Sequence, residues 1–257
     1  MLPADKSPSP LSRRAFLTAV LSGAASLTGC VNVPSSQREP NVQPLSLTMP
    51  PRPFGGPLSS SNDRRLIYAA MEDHGHAIPA VPFEKISPEF LRQEVDDPTG
   101  ERPGTIVVHT STHFLYLVLP GRRAMRYGVG LGRAGFEWSG RAEIARKAEW
   151  PKWHPPEEMI ERQPELEQYR TKFDKATGEW RGGMEPGIMN PLGARALYIY
   201  QDGKDTLYRI HGSPEWWTIG RSVSSGCVRM LNQDVIDLYG RVPVGSPILV
   251  TDGLRSV

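Results

Sequence analysis

Short apolar runs separated by turn residues dominate the chain after residue 104. Runs of four to eight residues that are rich in β-branched and aromatic side chains are typical of β-strands. Pro120-Gly121 and Asp202-Gly203 stand between neighbouring runs, and both pairs favour the tight turns of β-hairpins. We therefore expect a mainly β domain, with strands at 105–110, 113–119, 124–132, 196–200, 207–212 and 247–252.

Two other segments have the residue spacing of α-helices. The first is predicted to begin at a capping residue, Asn62 or Asp63, and to stop at Gly75. The second is predicted to begin at Asn232, which would cap it, and to close at Gly240. The apolar positions that define the first helix are Leu66, Ile67, Ala70 and Met71.

The connection formed by residues 133–190 interrupts the strand pattern. It is long, rich in proline and charged residues, and so extended a connection in a compact domain is usually functional. We predict a lid-like insertion here. The alternative is a solvated insertion whose aromatic side chains only pack against the domain. Its tryptophans are Trp138, Trp150, Trp153 and Trp180.

Composition adds a constraint on partners. Of 257 residues, 39% are hydrophobic and 23% are charged, as in an ordinary globular protein. The formal net charge is +2, and residues 1–30 alone account for it, with Lys6, Arg13 and Arg14 against Asp5. The remainder of the chain is neutral in balance, so the composition gives no support to nucleic-acid binding.

The N-terminal segment "SRRAFLTAVLSGAASLTGC" has the features of an export signal. Arg13 and Arg14 resemble the twin-arginine export signal of bacteria, and the apolar run that follows is too short to span a membrane. Leu27–Cys30 resembles a lipobox, in which the cysteine becomes lipidated. We expect a periplasmic lipoprotein held to a membrane through Cys30, or else an ordinary cleaved signal with an incidental cysteine.

Val31 follows the lipidated position and is not the aspartate commonly read as an inner-membrane retention signal, which favours the outer membrane. Residues 31–61 are rich in proline and poor in large apolar residues, so we expect an extended linker there.

Cys227 is one of only two cysteines, the other being Cys30. A disulfide between them is one interpretation; lipidation of Cys30 would instead leave Cys227 as the only thiol. His211 ends a predicted strand sixteen positions earlier, so its imidazole could reach the thiol across the intervening loop. Such a pair forms thiolate and imidazolium, with a thiol pKa below the usual value of about 8.5. The Ser-Gly-Cys turn could aim backbone amides at a reacting oxygen, and together these features predict covalent acyl transfer.

Histidine at a strand end is also common as a structural residue, so spacing alone leaves that alternative open. His109 and His113 are four residues apart, but they lie in a β context where that spacing does not bring them together. We predict no metal site.

"YRIHG" at 208–212 and "SSGCVRM" at 224–230 resemble the catalytic signature of bacterial L,D-transpeptidases, which cross-link peptidoglycan. "NPLGARALYIY" and "DLYGRVPVGSPILV" are also similar to that family in order and spacing, and the resemblance covers residues 62–252. It implies a β-sandwich with a short helix after the catalytic cysteine. We accordingly divide the chain into a signal at 1–30, a linker at 31–61, an N-terminal extension at 62–103 that packs on the domain, and a catalytic domain at 104–252.

The resemblance also implies roles for individual residues. Cys227 is the nucleophile, and His211 is its proton acceptor and later donor. The carbonyl of Gly212 orients the imidazole ring, and the amides of Gly226 and Cys227 form the oxyanion hole. Arg229 either binds a substrate carboxylate or braces the turn.

Ser225 marks a departure from the family pattern, because many members have a histidine directly before the Gly-Cys pair. We expect Ser225 to contact substrate, with any secondary role of that histidine absent.

The reaction implied is attack of Cys227 on the third-residue carbonyl of a donor tetrapeptide stem, with release of D-alanine. An amine from another peptidoglycan stem peptide or from a protein lysine then resolves the thioester. No metal or organic cofactor is implied. Two other interpretations remain, a cysteine hydrolase in which water is the acceptor and a non-catalytic lipoprotein that tethers peptidoglycan.

Overall fold

The computed structural model of the chain describes residues 61–132, 138–224 and 226–253. These residues belong to the unit that spans Pro53–Val257. None of the helices in these ranges is long and apolar enough to cross a membrane. The α-helices are α1 (Ser61–Ile67), α2 (Glu157–Arg162) and α3 (Asn232–Arg241), and short 3-10 turns cover Phe83–Lys85, Pro88–Phe90, Pro164–Tyr169 and Trp216–Thr218.

The strands of the described residues are β1 (Met71–Asp73), β2 (His76–Ile78), β3 (Gln93–Asp96), β4 (Ile106–His109), β5 (Phe114–Leu119), β6 (Arg123–Gly128), β7 (Leu131–Gly132), β8 (Gly140–Glu149), β9 (Lys172–Asp174), β10 (Glu179–Arg181), β11 (Arg195–Gln201), β12 (Lys204–Ser213), β13 (Ser222–Ser224), β14 (Val228–Leu231) and β15 (Pro247–Thr251). Each run predicted to be a strand forms one, and the prediction of a mainly β fold is confirmed.

Nine strands form the main sheet, in the order β14-β12-β11-β8-β15-β4-β5-β6-β3. Most neighbours are antiparallel, but β12 pairs with β14 in parallel and β15 pairs with β4 in parallel. Parallel neighbours need a crossover connection. For β12 and β14 this connection leads to Gly226 and Cys227, so the register brings Cys227 beside Arg209 of β12.

The main sheet curls around one apolar core. Buried side chains from β4–β6 and from β11, β12 and β14 belong to a single apolar cluster, to which α3 contributes Val235 and Leu238. The end strand β14 also meets the chain just after β6, where Gly130 and Arg229 exchange backbone hydrogen bonds of 2.9 and 2.8 Å. The two layers of the predicted sandwich are therefore halves of one continuous sheet.

The first predicted helix is wrong beyond Ile67. Residues 71–78 instead form the β1–β2 hairpin, whose turn places His74 and Gly75 at φ 52° and 80°. The hairpin is preferred because Asp73 accepts hydrogen bonds from the Trp150 indole (2.7 Å) and the buried Arg195 guanidinium (2.7 and 2.9 Å). A tertiary interaction has overridden the local helical pattern.

The predicted insertion at 133–190 is also wrong in its first part, because 140–149 form β8 in the middle of the main sheet between β11 and β15. Its sequence, "GRAEIARKAE", lacks the apolar run typical of a strand, because Ile144 is the only fully buried large side chain in it. The insertion proper follows β8 and contains α2 and the β9–β10 hairpin. Trp150 and Trp153 are buried there, which supports packing roles for these two.

Asn232 does not cap α3, although it is the first residue of that helix. The N-terminal cap is Leu231, without a side-chain hydrogen bond, and Gly240 lies within the helix, which ends at Arg241. Tertiary partners occupy the Asn232 side chain instead, as described below.

Candidate active site

The predicted histidine and cysteine come together where β12 and β14 run side by side. In their parallel register, Ile210 lies opposite Val228 and His211 opposite Arg229. Neighbouring strands are about 4.8 Å apart. Cys227 directly precedes Val228, so the register brings Cys227 beside Arg209, two residues before His211. A backbone hydrogen bond from Arg209 to Cys227 fixes this arrangement.

Gly226 makes the turn before the cysteine possible. Its φ of 131° is rarely adopted by residues with a side chain, and a Cβ here would lie 3.3 Å from the Tyr208 ring. The amides of Gly226 and Cys227 remain the predicted oxyanion donors. Ser225 lies outside the described residues, as does Cys30.

His211 is almost completely buried, at 5% exposure, and its ring is oriented by its own neighbour. Nδ1 lies 2.7 Å from the carbonyl oxygen of Gly212 and donates to it, which leaves Nε2 as the basic nitrogen of the neutral ring. The predicted role of the Gly212 carbonyl as the orienting group agrees with this geometry.

Burial lowers the pKa of His211 to about 4. The hydrogen bond to Gly212 opposes this shift, the positive charge of Arg229 adds to it, and a hydrogen bond to the backbone of Pro191 opposes it again. The imidazole is therefore neutral at physiological pH and free to accept a proton.

The thiol of Cys227 is protonated in the resting site. Burial raises its pKa, while the backbone hydrogen bond from Arg209 and the charges of Arg209 and Arg229 act in the opposite direction. The expectation of a thiol pKa below the usual value is therefore wrong for the free enzyme. The resting pair is thiol and neutral imidazole, and charge separates only when the sulfur attacks.

Asn232, which sequence reasoning assigned to a helix cap, holds the histidine strand in place. Its Oδ1 accepts the backbone N–H of Ala194 at 2.9 Å, and its Nδ2 donates to the carbonyl of Ser213 at 3.4 Å. A Cβ on Gly212 or on Gly193 would lie 2.2 or 2.4 Å from that Oδ1. Both glycines are therefore required for the close approach that fixes the Gly212 carbonyl.

A row of cationic and aromatic side chains crosses the sheet toward the thiol, and sequence reasoning missed it. Arg146, Tyr198 and Arg209 are direct neighbours on β8, β11 and β12. The Tyr198 ring lies between the two guanidinium groups, at 4.4 and 4.5 Å. Arg209 also forms a two-pronged ion pair with Asp205, with both N–O distances 2.7 Å. The only signal in the sequence was the arginine next to "IHG".

Arg229 braces the turn. Its guanidinium pairs with the carboxylate of Glu215, and its backbone exchanges hydrogen bonds with Gly130, just after β6. Of the two roles implied for Arg229, the geometry favours bracing. Among residues 61–132, 138–224 and 226–253, no group of three or more His, Cys, Asp or Glu side chains could hold a metal ion.

The profile of one protein family, described as the L,D-transpeptidase catalytic domain (YkuD), matches residues 103–250. This match covers more than half of the chain and includes both His211 and Cys227. The chain belongs to the L,D-transpeptidase family.

Individual relatives agree with the family. The L,D-transpeptidase chain is 32% identical over 167 residues to the "Probable L,D-transpeptidase ErfK/SrfK" of Escherichia coli, a match that covers 63% of this chain and 48% of the relative. It is 33% identical over 153 residues to the "Probable L,D-transpeptidase YbiS" of the same organism, covering 57% and 44%. The chain thus spans about half the length of the curated relatives it matches.

Among solved structures, a crystal structure from Brucella melitensis titled as a "Probable carnitine operon oxidoreductase" is 47% identical, covering 64% of this chain and 95% of that one with a TM-score of 0.42. An L,D-transpeptidase from Mycobacterium smegmatis is 18% identical, covering 57% of each chain with a TM-score of 0.38.

Proposed function

We propose that this chain is a peptidoglycan L,D-transpeptidase that uses Cys227 as its nucleophile. The observation that supports the proposal is the parallel register of β12 and β14, in which the buried His211 lies opposite Arg229, two residues after Cys227, while His211 Nδ1 is bound to the Gly212 carbonyl. In its neutral form, His211 can act as the general base that takes the thiol proton as the sulfur attacks.

In the first step, the sulfur attacks the third-residue carbonyl of a donor tetrapeptide stem while His211 takes the thiol proton. The imidazolium that forms is stabilised by the hydrogen bond to the Gly212 carbonyl. The amides of Gly226 and Cys227 donate to the oxyanion. When the tetrahedral intermediate collapses, the carbon–nitrogen bond breaks, His211 returns its proton to the leaving amine, and D-alanine departs.

In the second step, an acceptor amine attacks the thioester and loses its proton to His211. The new amide bond forms as the carbon–sulfur bond breaks, and the proton returns to the thiol. The acceptor amine belongs to another stem peptide or to a protein lysine. With water as acceptor, the same intermediate would give a tripeptide and the enzyme would be an L,D-carboxypeptidase.

The proposal is tested by weighing the intact protein and its products after incubation with tetrapeptide stems. Without an added acceptor, we expect a thioester of tripeptide mass on Cys227; with an amine acceptor, we expect cross-linked product. Free tripeptide alone would identify the hydrolase. If Cys227→Ala protein releases D-alanine at the wild-type rate, Cys227 is not the nucleophile.

We infer from the leader that the enzyme acts in the periplasm, held by a lipid on Cys30. The twin arginine at Arg13 and Arg14 and the Leu27–Cys30 motif support this inference, and Val31 favours the outer membrane. The mature chain should begin at Cys30 and partition with membranes. A protein cut elsewhere and recovered in the soluble fraction would refute the anchor.

A further inference from the structure

Arg209 lies beside the nucleophile, where β12 and β14 run in parallel. In their register, His211 lies opposite Arg229. Two residues earlier on each strand, Arg209 lies opposite Cys227. Residues two apart on a strand point to the same face of a sheet. Arg209 and His211 therefore project from the same face of β12, and each arginine has one member of the catalytic pair as its neighbour on the other strand.

The backbone of Arg209 contacts the thiol. Burial raises the pKa of the Cys227 thiol, and a backbone hydrogen bond from Arg209 opposes that rise. A hydrogen bond that lowers the pKa of a thiol is donated to the sulfur, because it favours the charged form. The N–H of Arg209 therefore donates to the Cys227 sulfur. This contact belongs to the main chain, so a substitution of the Arg209 side chain leaves it in place.

Two neighbouring side chains restrain the Arg209 guanidinium. Nη1 and Nη2 each donate to the carboxylate of Asp205 at 2.7 Å, and Nη1 also donates to the carbonyl of Tyr208 at 2.8 Å. The Tyr198 ring, whose other face carries Arg146, has its centre 4.5 Å from the guanidinium carbon. The side chain of Arg209 is only 15% exposed. A charge that is restrained and partly shielded from water acts more strongly on its surroundings than a freely solvated one.

The charges of the two arginines act differently on the catalytic pair. Burial raises the pKa of the Cys227 thiol, whereas the charge of Arg209 lowers it and that of Arg229 lowers it less. The order of the arginines is reversed at His211, where burial lowers the pKa, Arg229 lowers it further and Arg209 contributes less. A positive charge favours a thiolate and disfavours an imidazolium. Arg209 is therefore the arginine that promotes the nucleophile, while Arg229, which is paired with Glu215, chiefly affects the base.

We propose that Arg209 sets the reactivity of the Cys227 thiol. Its backbone N–H holds the sulfur, and its guanidinium, fixed by Asp205 and Tyr198, favours transfer of the thiol proton to His211. As His211 takes that proton, the electron pair on sulfur forms the bond to the substrate carbonyl carbon, and the π electrons of the carbonyl move to its oxygen. This inference rests on the proposed function, because it concerns the sulfur that acts as the nucleophile there.

The test measures the rate at which iodoacetamide alkylates Cys227 between pH 6 and pH 10, by mass spectrometry of the peptide that contains it. Arg209→Gln removes the charge and keeps the backbone N–H. The midpoint of its profile should rise by about one pH unit, so that alkylation is about tenfold slower at any pH below the midpoint. Arg209→Lys keeps a positive charge and should restore most of the wild-type rate. A profile of Arg209→Gln that superimposes on the wild-type profile would overturn the proposal.

Arg141→Gln is the matched control. Arg141 is also a strand arginine with a two-pronged ion pair, to Glu101 at 2.7 and 3.0 Å, but it lies near the start of β8. Its replacement should leave the alkylation profile unchanged. Equal shifts in Arg141→Gln and Arg209→Gln would show a general loosening of the fold and would also overturn the proposal.

Asp205→Asn keeps the test decisive if Arg209→Gln does not fold. Asparagine retains an oxygen that can accept the Leu207 N–H, but it removes the negative charge that offsets Arg209. The midpoint should fall by about half a pH unit, with alkylation about threefold faster at pH 7. An unchanged or slower rate would contradict the proposal. Alkylation needs no substrate, so its outcome is separate from whether tetrapeptide stems are cross-linked.

Discussion

At the scale of single residues, the thiol of Cys227 and the imidazole of His211 are both uncharged in the absence of substrate. Burial disfavours both the thiolate of Cys227 and the imidazolium of His211, so the ion pair is not present before substrate binds. His211 is neutral in this pair, and the Gly212 carbonyl, which accepts from Nδ1, sets the tautomer of the ring. Reactivity therefore depends on substrate binding, and a resting thiol of this kind resists oxidation.

The first prediction concerns the pH dependence of thiol alkylation. Because burial raises the thiol pKa of Cys227, the thiolate fraction should increase about tenfold for each pH unit below that pKa. Iodoacetamide alkylation, followed by intact mass, should rise steeply from pH 7 to pH 9. A rate that is already constant from pH 6 upward would show a preformed ion pair and contradict this view.

The second prediction concerns Asn232. Replacing it by alanine removes the hydrogen bonds to Ala194 and Ser213 that hold the Gly212 carbonyl, so His211 should lose its alignment. We expect kcat to fall by about 10²-fold while KM changes little, since misplacement by about 1 Å has effects of this size. A matched Asn190→Ala protein, which loses contacts within the insertion, separates general destabilisation from this effect. Equal losses of kcat in the two variants would contradict a positioning role for Asn232.

At the scale of elements, the site is made by a parallel strand pair and the helix behind it. β12 carries His211, β14 follows Cys227, and α3 packs under both strands with its first turn against Gly212. The helix begins without a side-chain cap, because Asn232 is used for the strand instead. The side chain of Asn232 therefore forms tertiary hydrogen bonds beside His211 in place of a helix cap, a local stabilising interaction.

The third prediction compares two glycines at this junction. Gly212→Ala should destabilise the fold by several kcal/mol, because its Cβ would lie 2.2 Å from Asn232 Oδ1 and the strand must shift. Gly240→Ala, within α3 and with open space around it, should stabilise the fold by about 0.5–1 kcal/mol. Urea denaturation measures both changes. If Gly212→Ala left the free energy of unfolding unchanged, Gly212 and Asn232 would not be packed as closely as described.

At the scale of the described molecule, the residues before β4 are built into the catalytic sheet. β3 forms its edge beside β6, and Asp73 holds Trp150 and Arg195 near the start of the insertion. Arg92 pairs with the buried Asp234 of α3 at 3.6 Å and with Asp237 at 2.8 Å. These contacts support the prediction that residues 62–103 pack on the catalytic domain.

The fourth prediction tests this integration by truncation. A protein that begins at Ser61 should keep the melting temperature and in vitro activity of the longer chain. A protein that begins at Thr105 should fail to fold, because it exposes the main sheet edge and leaves Asp234 and Arg195 buried without their partners. Circular dichroism and activity with tetrapeptide stems would check both. A folded, active protein starting at Thr105 would show that the extension is dispensable.

The sequence by itself determined the strand positions, the helix after the cysteine and the chemical identity of the pair His211 and Cys227. These features depend on local patterns, namely short apolar runs, turn residues and one unusual thiol near a glycine. The sequence did not predict β8, because most of its side chains are polar although it is a central strand. It also wrongly predicted a helix at residues 71–78, where the contacts of Asp73 with Trp150 and Arg195 stabilise a hairpin. Only the tertiary structure decided the protonation state of the pair, because burial depends on what the rest of the chain places around it. The same holds for Asn232 and Gln233, since their side chains bond to residues 19 to 164 positions away in the chain, which leaves no trace in the local sequence.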